Sequence, residues 1–206
     1  MGFGAGVLVS AVAFDLVEEA LGKGAGHTPV LLGMFTGCLV FFGGDVLIDR
    51  AGGSRRKSAN GSGDSPLAIV LGTVLDGVPE SVVVGLAFYE SGSVGAAYLA
   101  AVFISNVAES LSSSVGLVAS GWRSSRILLL WTGIALLSGV SSLAGYSAFD
   151  HVSTRAVAFV LAFAGGAILT MLADTMMPEA YEHGGKLAGV VTTLGFAVAL
   201  LIDQLA

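Results

Sequence analysis

The stretch Leu75-Asp76-Gly77-Val78-Pro79-Glu80-Ser81 decides how this chain folds, because it sets carboxylates inside the apolar run 66–88. A matching stretch, Ile104-Ser105-Asn106-Val107-Ala108-Glu109-Ser110, lies inside the next apolar run, 95–121. Aligned without a gap, the two stretches share Val, Glu and Ser at the same offsets. Ionised groups are costly inside a hydrocarbon layer and normally face a cavity, a partner or an ion. We therefore expect the two stretches to face each other.

The polar side chains of each stretch project from one face of a helix. Asp76 and Glu80 are four residues apart, and Asn106 and Glu109 are three apart. Neither run contains a Lys or Arg to neutralise the carboxylates. Such a group either holds protons, through repulsion and desolvation, or binds a cation. We interpret the four side chains as an oxygen-lined cation cage at the middle of the two helices.

Pro79 favours a cavity at this point. A proline inside a helix leaves the carbonyl four residues back, here that of Leu75, without its usual donor. In a membrane such an irregularity is tolerated where it lines a cavity. The alternative is a kink that serves only helix packing.

Composition places the chain in a membrane. Hydrophobic residues make up 54% of the 206 residues and charged residues 12%, and the mean hydropathy is +0.86. Too little polar surface remains to cover a soluble globule of this size, and a spanning helix needs about 20 mainly apolar residues. The sequence predicts an all-α polytopic membrane protein, with a single transmembrane domain over residues 1–206. The seven predicted transmembrane helices are 2–21, 29–48, 66–88, 95–121, 127–146, 156–177 and 187–202.

The positive residues predict the orientation of the chain. The connection 51–65 is rich in Gly, Ser and Arg, and is predicted to be a flexible cytoplasmic loop. Short cytoplasmic loops carry the Lys/Arg excess, and a cytoplasmic N-terminus puts seven of the nine basic residues inside. We predict an integral protein of the cytoplasmic (inner or plasma) membrane, with its N-terminus in the cytoplasm and its C-terminus outside. The largest basic group, Arg55-Arg56-Lys57, is too small for nucleic-acid binding.

The first and sixth runs resemble each other. Residues 5–20 align with residues 164–180, and Gly6 and Gly165 each precede an aspartate by nine residues. Runs that lie five helices apart cross the membrane in opposite directions, which is the inverted-repeat architecture of many secondary transporters. The second run carries Gly33 and Gly37, a spacing typical of close helix packing.

The polar stretches resemble the signatures of the ZIP (zinc/iron-regulated transporter-like) family of divalent metal transporters. The stretch 76–81 is similar to the His-Asn-x-Pro-Glu-Gly signature of the fourth ZIP helix, and the stretch 105–110 is similar to the fifth-helix signature. Residues 164–180, which include Met177-Pro178-Glu179-Ala180, are similar to the seventh helix, and residues 14–20 to the second. The resemblance covers essentially the whole chain as helices two to eight. It indicates a divergent bacterial-type member that lacks the first helix.

This resemblance implies a 3+2+3 fold with inverted outer triplets, a midplane metal centre and a tendency to form homodimers. The expected metal ligands are Asp76, Glu80, Asn106 and Glu109. The positions that depart from ligand residues of the family are Asp76, Gly77, Ser105, Asn106 and Ser138. Because these departures remove most ligands of a second metal position, we expect one site at most.

The expected function is transport of a divalent cation of the zinc, iron or manganese class by alternating access. All four expected ligands offer oxygen, which suits harder ions, although zinc also binds carboxylates. The metal is a substrate; no organic cofactor and no enzymatic activity are expected. The partners are the metal ion and the lipid bilayer. Further residues expected along the route are Asp15 and Glu19 toward the outside, Ser105 at the centre, and Asp174 and Glu179 toward the cytoplasm.

Two other interpretations remain. A ZIP-like protein with a degenerate metal site would act as a sensor, a regulatory subunit or a carrier of another solute. An intramembrane protease is the second: Gly43-Gly44-Asp45 with Phe14-Asp15 resembles paired-aspartate membrane proteases, but the Gly-x-Gly-Asp spacing is not met.

Overall fold

The computed structural model describes residues 1–50, 66–147 and 152–205, without the side chains of residues 66–69, 90 and 91. Every regular element within these ranges is a helix. Six of the described helices are long and apolar enough to cross a membrane. The prediction of an all-helical polytopic membrane bundle is therefore confirmed. The loop 51–65, predicted to be flexible, lies outside the described residues.

In the part of the chain that the structure describes, seven helical rods follow the seven predicted runs. A π-helical segment lies inside two of the rods: the first π segment, Val12–Glu18, joins α1 to α2, and the second π segment, Leu172–Met176, joins α7 to α8. Residues 49 and 50, which follow α3, are also π-helical. The helices are α1 (Gly2–Ala11), α2 (Glu19–Gly22), α3 (His27–Ile48), α4 (Pro66–Ser91), α5 (Ala96–Ala119), α6 (Ser124–Ser147), α7 (Thr154–Met171), α8 (Met177–Gly184) and α9 (Leu187–Leu205).

The sixth rod is longer than the sequence predicted. It runs through the second π segment and α8 to Gly184 rather than ending at Met177. Pro178 falls in the first turn of α8, where the missing N–H of a proline costs little. By contrast, α4 contains Pro79 in its interior and continues through it as one helix.

The first rod is not among the six apolar spans. Its second half carries Asp15, Glu18 and Glu19, which lower its hydropathy. Along α1, however, Ala5 and Leu8 have no exposed surface. A helix shielded by protein tolerates carboxylates that a lipid-facing helix does not. The first half of the first rod is therefore internal to the bundle, whereas Phe14 and Glu18 of the first π segment are exposed.

Glycines bring α1 and α9 into backbone contact. A Cβ atom on Gly6 would overlap the main-chain oxygen of Thr192, and one on Gly195 would overlap that of Phe3. Such close approach is what small residues provide at helix interfaces in membranes. Because early residues of α1 meet early residues of α9, the two helices run parallel, and Gly2 and Leu205 lie at opposite ends of the bundle.

The pair α3 and α7 repeats this arrangement. A Cβ on Gly37 would overlap the main-chain oxygen of Phe163, and one on Gly166 would overlap that of Met34. Phe163 and Gly166 therefore take the places that Phe3 and Gly6 have in the other pair. These contacts support the inverted repeat but correct its register by one residue, since Gly166 rather than Gly165 corresponds to Gly6.

The remaining parallel pair is α4 and α6, where Gly85 meets the main chain of Ser142 and Gly145 that of Val82. The central helices α4 and α5 run antiparallel and lie against the two repeated pairs, α5 beside α1 and α4 beside α7. We call the end where α1, α4, α6 and α9 begin the first end of the bundle, and the end where α3, α5 and α7 begin the second end.

Candidate metal site

The two central helices meet through a polar contact at mid-span. The amide Nδ2 of Asn106 on α5 donates a hydrogen bond to Glu80 Oε2 on α4, at 2.8 Å. The same amide group donates to the main-chain oxygen of Val102, at 2.7 Å, which fixes its orientation. The two stretches therefore face each other, as their spacing predicts.

The carboxylates of both stretches are buried. Asp76 and Glu80 are each 2% exposed and lie one turn apart on α4, and Glu109 on α5 is 3% exposed. Ser105 lies one turn before Glu109 and has no exposed surface, whereas Asn106 is half-buried. An ionised group buried in this way requires compensating partners.

Small residues and the proline shape the α4 side of the contact. Gly77 leaves room for Asn106, whose Oδ1 would lie 3.9 Å from a Cβ at that position. Next to Pro79, the hydroxyl of Ser81 donates to the main-chain oxygen of Gly77, at 2.7 Å. This side chain gives that carbonyl a local donor beside the interrupted hydrogen-bond ladder.

The four predicted ligands do not form one complete metal-binding cluster. Across residues 1–50, 66–147 and 152–205, no three His, Cys, Asp or Glu side chains lie close enough together to hold a metal ion. In the Glu80–Asn106 contact, the amide of Asn106 presents its N–H group, which cannot ligate a cation. A rotation of this amide would turn Oδ1 toward Glu80. The ligand role of the four residues stays a prediction.

Two predicted route residues lie toward the second end. Asp15, in the first π segment, sits beside the residue before α5, since its Oδ1 would be 3.3 Å from a Cβ on Gly95. Glu19 on α2 forms an ion pair with Lys23, at 3.2 Å. This pair is partly exposed and spaced i, i+4, so it contributes little to stability, but it partly neutralises Glu19.

The other two route residues lie in different places. Glu179 Oε1 accepts a hydrogen bond from Ser112 on α5, at 2.6 Å, and both residues line a cavity of about 340 Å³ at the first end, together with His183. Asp174 is exposed in a groove lined by α3 and α7. Glu179 therefore contacts a central helix, and Asp174 faces the groove between α3 and α7.

Sequence reasoning missed two buried polar groups of α5. Tyr98 donates its hydroxyl to the main-chain oxygen of Glu80, at 3.2 Å. Ser113 lies one turn beyond Glu109 with no exposed surface, and its hydroxyl bonds to no residue in the described part of the chain. The helical spacing of Tyr98, Ser105, Glu109 and Ser113 was a usable signal, because it places all four on one face of α5.

No family model matches the chain. Among curated proteins, the chain is similar to the zinc transporter GufA of Myxococcus xanthus, with 30% identity over 143 residues. The matched part is 68% of this chain and 56% of that protein, so the chain spans little more than half the length of this relative. The similarity supports the resemblance to the ZIP transporters that the motifs of the two central helices indicate.

Proposed function

We propose that this chain transports a divalent metal cation between α4 and α5, and that zinc is the first ion to test. The observation that carries the proposal is the 2.8 Å contact between Glu80 and Asn106, which joins the two central helices at mid-span. Asp76 and Glu109 are buried on the same helices. Buried carboxylates on facing helices with no basic residue in either helix suit a cation.

The similar protein supports the choice of ion, because it is a zinc transporter. Carboxylate and amide oxygens also suit manganese and iron, since neither imidazole nor thiolate belongs to the expected ligand set. The substrate class is therefore a divalent metal of the zinc, iron or manganese group. The ion passes through the protein and is not a resident cofactor.

The positive-residue bias assigns the first end of the bundle to the cytoplasm. The cavity of about 340 Å³ lined by Ser112 and Glu179 is then the cytoplasmic side of the route, and Asp15 lies on the outer side. The chain acts in the cytoplasmic membrane as one transmembrane domain, and forms homodimers there. Zinc uptake by proteoliposomes holding the purified protein tests transport, and uptake no faster than in empty vesicles would contradict it.

A ZIP-like sensor or regulatory subunit is the second candidate function. It is favoured by the arrangement of the carboxylates, because within the described ranges no three of them lie close enough together to hold a metal ion. Such a protein binds zinc without moving it. Zinc that stabilises the purified protein but is not taken up by proteoliposomes would select this candidate over transport.

Zinc is expected to raise the apparent melting temperature of the purified protein. A ligand that binds only the folded state, at about one hundred times its dissociation constant, adds about 2.7 kcal/mol to the free energy of unfolding. The Glu80→Gln variant is expected to lose this rise. A thermal melt in detergent with and without zinc measures it. The matched control is Glu182→Gln at an exposed position of α8, and an equal zinc-dependent rise in both variants would place the bound zinc elsewhere.

A further inference from the structure

Tyr98 is buried between the Glu80–Asn106 contact and the second end of the bundle. It is 2% exposed, and its hydroxyl donates to the main-chain oxygen of Glu80. A buried phenol needs such a partner, because an unsatisfied hydroxyl is costly away from water. The partner here is the residue whose side chain contacts Asn106. The bond therefore ties the first turn of α5 to the middle of α4.

Asp15 lies on the other side of Tyr98. It sits beside Gly95, three residues before Tyr98 in the chain. From the second end toward the centre, the polar groups are thus ordered Asp15, Tyr98, Glu80.

The interior is packed from Tyr98 down to the centre. Ala101 and Ser105 follow on the same face of α5 and have no exposed surface. A Cβ on Gly4 of α1 would lie only 3.5 Å from the Cα of Ser105. At the first end, by contrast, the cavity of about 340 Å³ extends to Ser112. The centre is therefore closed toward the second end, and on the other side open space begins at Ser112, three residues beyond Glu109.

We propose that Tyr98 is the outer gate of the transport route. The inference rests on the proposed function, which assigns the second end to the outside. A cation at Asp15 reaches Glu80 only when the Tyr98 hydroxyl leaves the Glu80 main-chain oxygen and the ring moves aside. Because donor and acceptor lie on different central helices, a small separation of α5 from α4 opens the gate. Tyr98 does not ligate the ion; it is a positioning residue that controls access.

Cysteine labelling tests the gate without relying on transport. Ser105→Cys, which nearly conserves side-chain size, is placed in a Cys38→Ser background, because Cys38 is the one native cysteine. A membrane-impermeant maleimide is applied to spheroplasts for the outer side and to inside-out vesicles for the inner side. Tyr98→Phe removes one hydrogen bond and is expected to raise outer labelling about fivefold. Tyr98→Ala is expected to raise it further, and inner labelling is expected to stay unchanged.

The control variant is Tyr146→Phe, an exposed tyrosine near the second end of α6, which is expected to leave outer labelling unchanged. Outer labelling of Tyr98→Phe at the parental rate would overturn the gate. An equal rise in the labelling rate from both sides would also overturn it, because such a rise indicates loosened packing. If Tyr98→Ala fails to fold, the labelling rate of Tyr98→Phe alone tests the gate. Zinc uptake by the native chain, measured in parallel, separates the two proposals. A native chain that moves no zinc, together with outer labelling raised by Tyr98→Phe, contradicts transport but supports access control by Tyr98.

Discussion

Zinc uptake is expected to fall at least about a hundredfold in the Glu80→Gln variant, a loss of about 2.7 kcal/mol. Glutamine keeps the size of the side chain and an oxygen that can accept the hydrogen bond from Asn106. It removes the negative charge, which at a buried position interacts strongly with a cation because little water screens it. Uptake of radioactive zinc by proteoliposomes measures the effect.

The matched control is Glu182→Gln, which removes a carboxylate from the exposed surface of α8. Uptake by this variant is expected to equal that of the parent. Glu109→Gln tests the opposite helix and is expected to behave like Glu80→Gln, since Glu109 is equally buried. Normal uptake by both Glu80→Gln and Glu109→Gln would eliminate the proposed site, provided that all variants are reconstituted in equal amounts.

Alanine at Gly6 is expected to destabilise the bundle by about 3 kcal/mol or more. Its Cβ would overlap the main-chain oxygen of Thr192 and would lie 2.8 Å from the main-chain nitrogen of Phe196. Both obstacles are backbone atoms, so α1 and α9 must move apart, and overpacking of this kind costs about 1–3 kcal/mol or more. The lost contacts between the two helices add to that cost. The apparent melting temperature and the yield of monodisperse protein report the change.

Gly189→Ala on α9 is the control for this experiment. A Cβ at Gly189 meets no atom within 4 Å, so alanine there is expected to be neutral or to stabilise the helix by up to about 1 kcal/mol. Gly166→Ala, at the equivalent point of the other pair, is expected to repeat the loss seen for Gly6→Ala. Equal melting temperatures for Gly6→Ala and Gly189→Ala would mean that α1 and α9 do not pack as described.

The sequence was sufficient to predict the helices and the central contact, because both depend on strong local signals. Long apolar runs predict spans, and a carboxylate inside such a run needs a partner. Because two runs carry polar residues at matching offsets, the sequence indicates that these two helices pack against each other. The contact of Glu80 with Asn106 follows from this pattern.

The features that sequence reasoning missed depend on distant neighbours. The choice of Thr192 as the neighbour of Gly6 cannot be inferred from local spacing, since small residues are frequent throughout the chain. From the sequence alone, Tyr98 is one of many residues in the apolar run 95–121. Its importance follows only from the hydrogen bond that its hydroxyl donates to the main-chain oxygen of Glu80. Asp174 lines a groove with residues of α3 and α7, which local spacing does not indicate, and its place on the route stays a prediction.

The glycine contact between α1 and α9 has a consequence for biosynthesis. Because Thr192 follows Gly6 by 186 residues, α1 waits for its neighbour while the intervening chain is synthesised. At about 5–20 residues per second, this delay is on the order of ten to forty seconds. During that time, the insertion machinery or the helices already released must shelter the carboxylates of the first rod from lipid.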